Sequence, residues 1–244
     1  IRFSDEQKAK LYGKITNTLI NGVSQDIACW SSMPAEWAVD LFTKPSMLLM
    51  DEMTNIGPQM QAACHTPMAE GKIGGLPMRA ADCWIGALGN PAEYATNGTP
   101  FSPAFANRLV HFKWQPDDEA FDIGLEQGLE FPAPKVPLMP RDWKDQVQPH
   151  VEHLCLMVRL YRKHAAGSFM QMPYLDPTKG EGSGVDMAKA SKAWPSFRTT
   201  EYAIRLAAAV RLLGLPGAQE DSAVKNAFTA CVGAEQTDQF FRWL

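Results

Sequence analysis

The run Met47-Leu48-Leu49-Met50 is apolar without interruption and stops at two adjacent carboxylates, Asp51 and Glu52. A short continuous apolar run neither alternates like a half-exposed strand nor extends like a helix. It predicts a strand covered on both faces, the usual state of strands in a parallel sheet. Residues 83–89 predict a second such strand, ending at Asn90-Pro91, and residues 109–114 a third. Between the first two, Thr54, Asn55 and Pro58 open a helix expected to end near Pro67, since proline is tolerated in a first turn. Residues 70–78 carry Gly71, Gly74, Gly75 and Pro77 and predict a loop or hairpin. Upstream, Ser4 and Gln7 have capping-box spacing. Leu11, Ile15 and Leu19 follow at four-residue intervals, so an amphipathic helix is expected there. Another short helix is expected over 36–42.

Residues 131–140 hold Pro132, Pro134, Pro137 and Pro140, the strongest linker signal in the chain. Beyond them the pattern is helical. Leu154, Met157, Val158 and Tyr161 form one stripe, and 202–213 predicts a helix with Gly214 placed to cap it. Residues 221–231 and 234–244 predict two more helices, and 176–190 a polar loop. Strands alternating with helices, followed by helices alone, predict an α/β domain and then a helical one.

Composition narrows the functional classes. Hydrophobic residues make up 45% and charged residues 20% of the 244, and the formal net charge is -4. With a pI near 5.8, nothing points to a polyanion-binding surface. Cys29, Cys64, Cys83, Cys155 and Cys231 are dispersed without a CxxC pair, which reads as reduced thiols in a cytoplasmic protein. No apolar run approaches membrane-spanning length, and no signal peptide opens the chain.

Asp51 and Glu52 are the sharpest chemical feature. A buried strand delivering two carboxylates at its C-terminal end suits nucleotide hydrolysis, where one helps hold magnesium and the next polarises the attacking water. An exposed acidic turn is the alternative. Asn90, at the end of the next strand, suits an amide that orients water or contacts a terminal phosphate, with a simple Asn-Pro turn as alternative. Arg108, just before the third strand, suits an arginine reaching a neighbouring nucleotide, against a solvated surface arginine.

The stretches LLMDEMTNIGPQMQAA, EGKIGGLPM, GALGNPAEY and SPAFANRLVHFKW, in this order and spacing, resemble the MoxR branch of AAA+ ATPases. Residues 193–201 (AWPSFRTTE) resemble that family's sensor-2 segment. ACVG at 230–233 and FFRWL at 240–244 resemble its C-terminal helices. The resemblance covers residue 37 to the end. It implies an AAA+ P-loop-type parallel-sheet core, incomplete here, over 1–130, a proline-rich linker over 131–140, and an all-helical lid over 141–244. It implies ATP and Mg2+ as ligands. Asp51 and Glu52 become the Walker B pair, Asp51 supporting the metal and Glu52 acting as catalytic base. Asn90 becomes sensor 1, Arg108 an arginine finger acting in trans, and Arg198 sensor 2. The glycine-rich segment at 71–78 falls where the family carries a hairpin before sensor 1. A homo-oligomeric ring, most often a hexamer, is implied. So is chaperone-like remodelling of a client protein or metalloenzyme complex, often with a partner carrying a von Willebrand A domain.

One departure stands out. No GxxxxGK[ST] phosphate-binding loop occurs in the 244 residues, so the amides and lysine that cradle phosphates are expected upstream of residue 37 in the full-length protein. Without the strand that carries the loop, the sheet is expected to expose apolar faces and the isolated chain to be unstable. The alternatives are a catalytically silent AAA+-like scaffold or binding subunit, and a nucleic-acid remodelling ATPase. The acidic pI argues against the second. His150 and His153 with Glu152 lack a further convergent ligand for zinc, and the dispersed tryptophans read as packing residues. The basic run 159–163 reads as a solvated helix face, with a polar subunit contact as the alternative.

Overall fold

The computed structural model describes residues 15–20, 23–28, 38–73, 76–78, 83–91, 94–95, 98–115, 117–128, 137–165, 169–174 and 184–244. They belong to two compact units, residues 1–99 and 100–244. The proline segment thus falls inside the second unit, and its residues 131–136 lie outside the described set.

The first unit begins with an antiparallel hairpin of β1 (Ile15–Ile20) and β2 (Val23–Ala28), in which Ile20 faces Val23 and Ile15 faces Ala28. This corrects the helix expected through Ile15 and Leu19. Residues four apart share a face in a strand as well as in a helix. Ile15, Thr16, Thr18 and Ile20 are β-branched, which favours the strand, and Asn21-Gly22 separates the two runs with a strong hairpin signal. The capping-box residues Ser4 and Gln7 lie outside the described residues.

The short helix α1 (Val39–Thr43) leads into β3 (Ser46–Met50) through a tight turn, where Lys44 N–H donates to the Asp40 carbonyl at 3.0 Å. After β3 come α2 (Pro58–Ala63) and α3 (His65–Glu70). The helix does not stop at Pro67. A break at Cys64 restarts it, so Pro67 falls in a first turn, where its missing N–H costs nothing. The expected hairpin is present as β4 (Lys72–Ile73) against β5 (Leu76–Pro77). β6 (Cys83–Ala87) then pairs with β3 in parallel, Ser46 opposite Cys83 and Met50 opposite Ala87.

This parallel pair supplies two of the three predicted strands, but it is not covered on both faces. Met47 is 67%, Leu49 52% and Trp84 74% exposed, all on one face, while Leu48, Met50 and Ile85 on the other are half-buried. Apolar side chains exposed on one face depart from the two-faced burial expected of a parallel-sheet strand.

The second unit holds α4 (Pro103–Ala106), α5 (Asp118–Glu126), α6 (Trp143–Gln146), α7 (Gln148–His164), α8 (Met187–Ala190), α9 (Phe197–Leu212), α10 (Gly217–Val232) and α11 (Ala234–Trp243). Residues 109–114 form no strand among the described residues. His111 N–H instead donates to the Ala230 carbonyl of α10 at 2.7 Å, and Phe112 and Trp114 are exposed. A strand exists through its ladder, and here the amide is committed to a helix end. Of the expected 176–190 loop, the described part ends in α8, capped by Asp186.

The core of this unit joins Leu154, Val158 and Tyr161 of α7 to Ala203, Ile204, Ala207 and Ala208 of α9, with Phe228 and Phe240 from α10 and α11. The stripe predicted on α7 is its buried face, with Met157 at its margin. Gly214 has φ +62° just past α9, as expected of a helix stop. Gly233, between α10 and α11, has φ +85° and ψ 159°. A Cβ there would lie 2.8 Å from the Ala193 carbonyl oxygen. That conformation alone costs a side-chain-bearing residue about 1–3 kcal/mol. Gly233→Ala is therefore expected to lower the thermal midpoint by several degrees; a variant melting with the wild type would contradict the strain argued here. Among the described residues no helix is long and apolar enough to cross a membrane.

Candidate functional site

Parallel pairing puts the C-terminal ends of β3 and β6 at one edge, which brings Asp51, Glu52 and Asn90 to the same side of the pair. The backbone locks the two exits together: Leu88 N–H donates to Met50 O at 2.8 Å, and Met53 N–H returns to Leu88 O at 3.0 Å. Asp51, Glu52 and Asn90 are all exposed at this edge.

Glu52 has φ +56°, and among the described residues it is the one non-glycine with positive φ. For a residue with a Cβ this region costs roughly 1–2 kcal/mol. Three hydrogen bonds hold it: Glu52 N–H to Asp51 Oδ1 at 2.8 Å, Asn55 N–H to Glu52 O at 2.8 Å, and Asn55 Nδ2 to Glu52 Oε2. Asn55, expected only to help open a helix, instead fixes the Glu52 carboxylate. Thr54 beneath it is buried, and a Cβ on Gly89 would meet Thr54 Oγ1 at 3.0 Å. Gly89 thus permits the close approach of the β6 exit to Thr54.

Arg108 and Arg198 belong to the second unit. Arg108 closes the turn after α4, and its Nη1 donates back to the Ala104 carbonyl. Arg198 is exposed in the first turn of α9. Sequence reasoning assigned no role to the residues that bring these two segments together. Buried Asn107 accepts from Ser196 Oγ at 2.8 Å through Oδ1, and its Nδ2 reaches the Trp194 carbonyl at 3.4 Å. Ser196 in turn caps α9 in a reciprocal capping box with Thr199. The Ser-x-x-Thr spacing carried that cap; Asn107 carried no comparable local signal.

His111 lies nearby in the chain, its Nε2 2.8 Å from the Ala106 carbonyl. Burial pushes its pKa below the ordinary 6.5, partly offset by that hydrogen bond. The unfolded chain then binds the proton more readily than the folded one, so this contribution to stability is complete above pH 6.5 and is lost as pH falls below it. His111→Gln, which does not titrate, is expected to flatten the acid side of a plot of urea midpoint against pH. Equal slopes for variant and wild type would rule out His111 as a source of the pH dependence.

His150 and His153 lie on α7, and among the described residues no group of three His, Cys, Asp or Glu side chains is placed to hold a metal ion. Burial pushes the Cys231 thiol up to about 12, which suits a packing residue rather than a nucleophile. No protein-family model, curated protein or solved structure matches the chain.

Proposed function

We propose that the chain is part of an ATP-hydrolysing subunit of the MoxR-type AAA+ class, working in a ring on a client protein. One observation carries this reading. Glu52, beside Asp51 at the C-terminal edge of a parallel strand pair, sits in a costly backbone conformation held by Asn55. Backbone strain of this kind concentrates where chemistry needs a side chain fixed, and strand C-termini are where α/β sheets bind ligands.

The residues fit a magnesium-bound nucleotide. Asp51 offers exposed carboxylate oxygens, and magnesium bound with a nucleotide takes one or two carboxylates, completing its shell with phosphate oxygens and water. When bound there, the ion neutralises charge on the phosphates. Glu52 orients the attacking water and accepts its proton as the water oxygen bonds to the terminal phosphorus. The bond from that phosphorus to the bridging oxygen breaks, giving ADP and phosphate. Asn90 contacts the terminal phosphate or the water. The family resemblance implies that Arg108 serves the nucleotide of a neighbouring subunit and that Arg198 contacts phosphates. Work on a metalloenzyme complex with a von Willebrand A partner follows from family resemblance alone, since one fold hosts many functions.

Phosphate release by the full-length protein, followed as magnesium is titrated into ATP, tests the assignment. Release is expected only with the metal, and Asn90→Ala is expected to slow it by about 10²–10³-fold, the typical effect of losing one positioned polar donor. Release at the uncatalysed rate by the folded full-length protein would sink the ATPase reading.

A further inference from the structure

The second unit carries two surfaces that complement each other. Between α7 and α9 lies a groove of about 640 Å³. Its floor is apolar, formed by Val158, Phe169 and Ile204, with the exposed ring of Phe197 at its lip. Its rim is cationic: Arg159, Arg162 and Lys163 from α7 and Arg205 from α9, against one carboxylate, Glu201. Arg205 is already paired with Glu201 at 2.9 Å, and the Arg162 guanidinium lies over the Phe197 ring at 5.7 Å. Among the described residues no carboxylate pairs with Arg159, Arg162 or Lys163.

The other surface is α5. Asp117 caps it, and Asp118, Glu119, Asp122 and Glu126 follow with no cation between 117 and 127. The helix buries Gly124 alone, leaving Phe121 57%, Ile123 44% and Leu125 54% exposed. Phe121 and Leu125 are four apart and share a face, as do Asp118 and Asp122. The helix is therefore apolar along one line and acidic beside it. An amphipathic helix laid into an apolar groove is a recurrent recognition mode, and opposite charges at the rim set partner and register.

We infer that α5 of one copy of this chain docks in the α7–α9 groove of the next. This deepens the proposed function, and rests on that reading for the expectation of a self-assembled ring. Because groove and helix are different surfaces, the contact is head-to-tail, the kind that closes into a ring or runs on into a filament. It turns the basic run on α7 from a solvated face into a subunit contact. Phe121 and Leu125 enter between the cations, and Asp118 and Asp122 meet Arg159, Arg162 and Lys163.

The test reads mass, not turnover, so failure of the pairing and failure of the ATPase reading are separate outcomes. Sedimentation of the full-length protein over a concentration series is expected to give assemblies that dissociate as salt is raised. Arg159→Glu with Arg162→Glu makes the groove acidic, and Asp118→Lys with Asp122→Lys makes the helix basic. Each double variant opposes like charges and is expected to sediment as a monomer. Mixed in equal amounts they re-associate, because the reversed helix fits the reversed groove while the two unaltered surfaces fit each other. That rescue separates a lost contact from a lost fold. Self-association of either variant at wild-type strength overturns the inference, as does a mixture that stays monomeric. A wild-type chain that is monomeric at every concentration overturns it too, and leaves the groove to a different chain.

Discussion

Glu52→Gln is expected to lower magnesium-dependent ATP turnover by about 10²–10⁴-fold, the usual contribution of a positioned general base. Glutamine has the length and shape of glutamate but cannot accept the proton of the attacking water. The local structure has no reason to change. Asn55 Nδ2 donates to Glu52 Oε2, and an amide oxygen accepts in the same place. The backbone bond from Asn55 N–H to Glu52 O, at 2.8 Å, is independent of the side chain. Nucleotide binding and assembly are expected to persist, so the variant separates chemistry from folding. Phosphate release by the full-length variant at the wild-type rate would remove Glu52 from the mechanism. A loss of turnover accompanied by a lower thermal midpoint would assign the effect to folding instead.

Phe240→Ala is expected to destabilise the helical unit by about 3–5 kcal/mol, the range for a large aromatic cut back in a core. Phe240 is fully buried at the meeting point of three helices. Its ring lies 5.2 Å from Tyr161, 5.3 Å from Phe228 and 5.4 Å from Phe169, with Trp243 stacked at 6.4 Å. Tyr161 on α7, Phe228 on α10 and Phe169 between helices are held by separate segments, so they cannot collapse together into the space left behind. A typical domain is stable by only about 5–15 kcal/mol, and the loss corresponds to a fall on the order of 10 °C in thermal midpoint. Phe112→Ala, at a side chain 72% exposed, is expected to change stability by no more than about 0.5 kcal/mol. Urea unfolding followed by tryptophan fluorescence compares the two, and equal midpoints would refute the packing account.

The helical unit was largely legible in the sequence. Leu154, Val158 and Tyr161 repeat at helical spacing, and Gly214 punctuates the end of α9, where left-handed backbone is needed. The first unit was legible only where local pattern is unambiguous. The apolar run before Asp51 specified a strand, and its parallel partner followed from the second run at Cys83. Burial did not follow, because a short apolar run looks the same whether or not a layer covers it, and Trp84 and Met47 are open on one face. Ile15 and Leu19 misled because a four-residue interval is even, so it fits a strand as well as a helix. At the candidate site, the edge shared by Asp51, Glu52 and Asn90 was accessible to reasoning from parallel topology. The Glu52 backbone strain and the Asn107–Ser196 bond were not, since one is a dihedral and the other joins segments far apart in the chain.

The pairing of Ser46 with Cys83 also orders events in time. β3 emerges from the ribosome with Met47 and Leu49 uncovered and cannot mature until α2, α3 and the β4–β5 hairpin have followed and β6 arrives. A long loop must close before any ladder bond rewards it. The helices α9, α10 and α11 are joined by short connections and pack together in one core. These helices thus close short loops, whereas the segment carrying Asp51 and Glu52 waits on a more distant strand. Until that strand arrives, the apolar side chains of β3 have no ladder partner beside them.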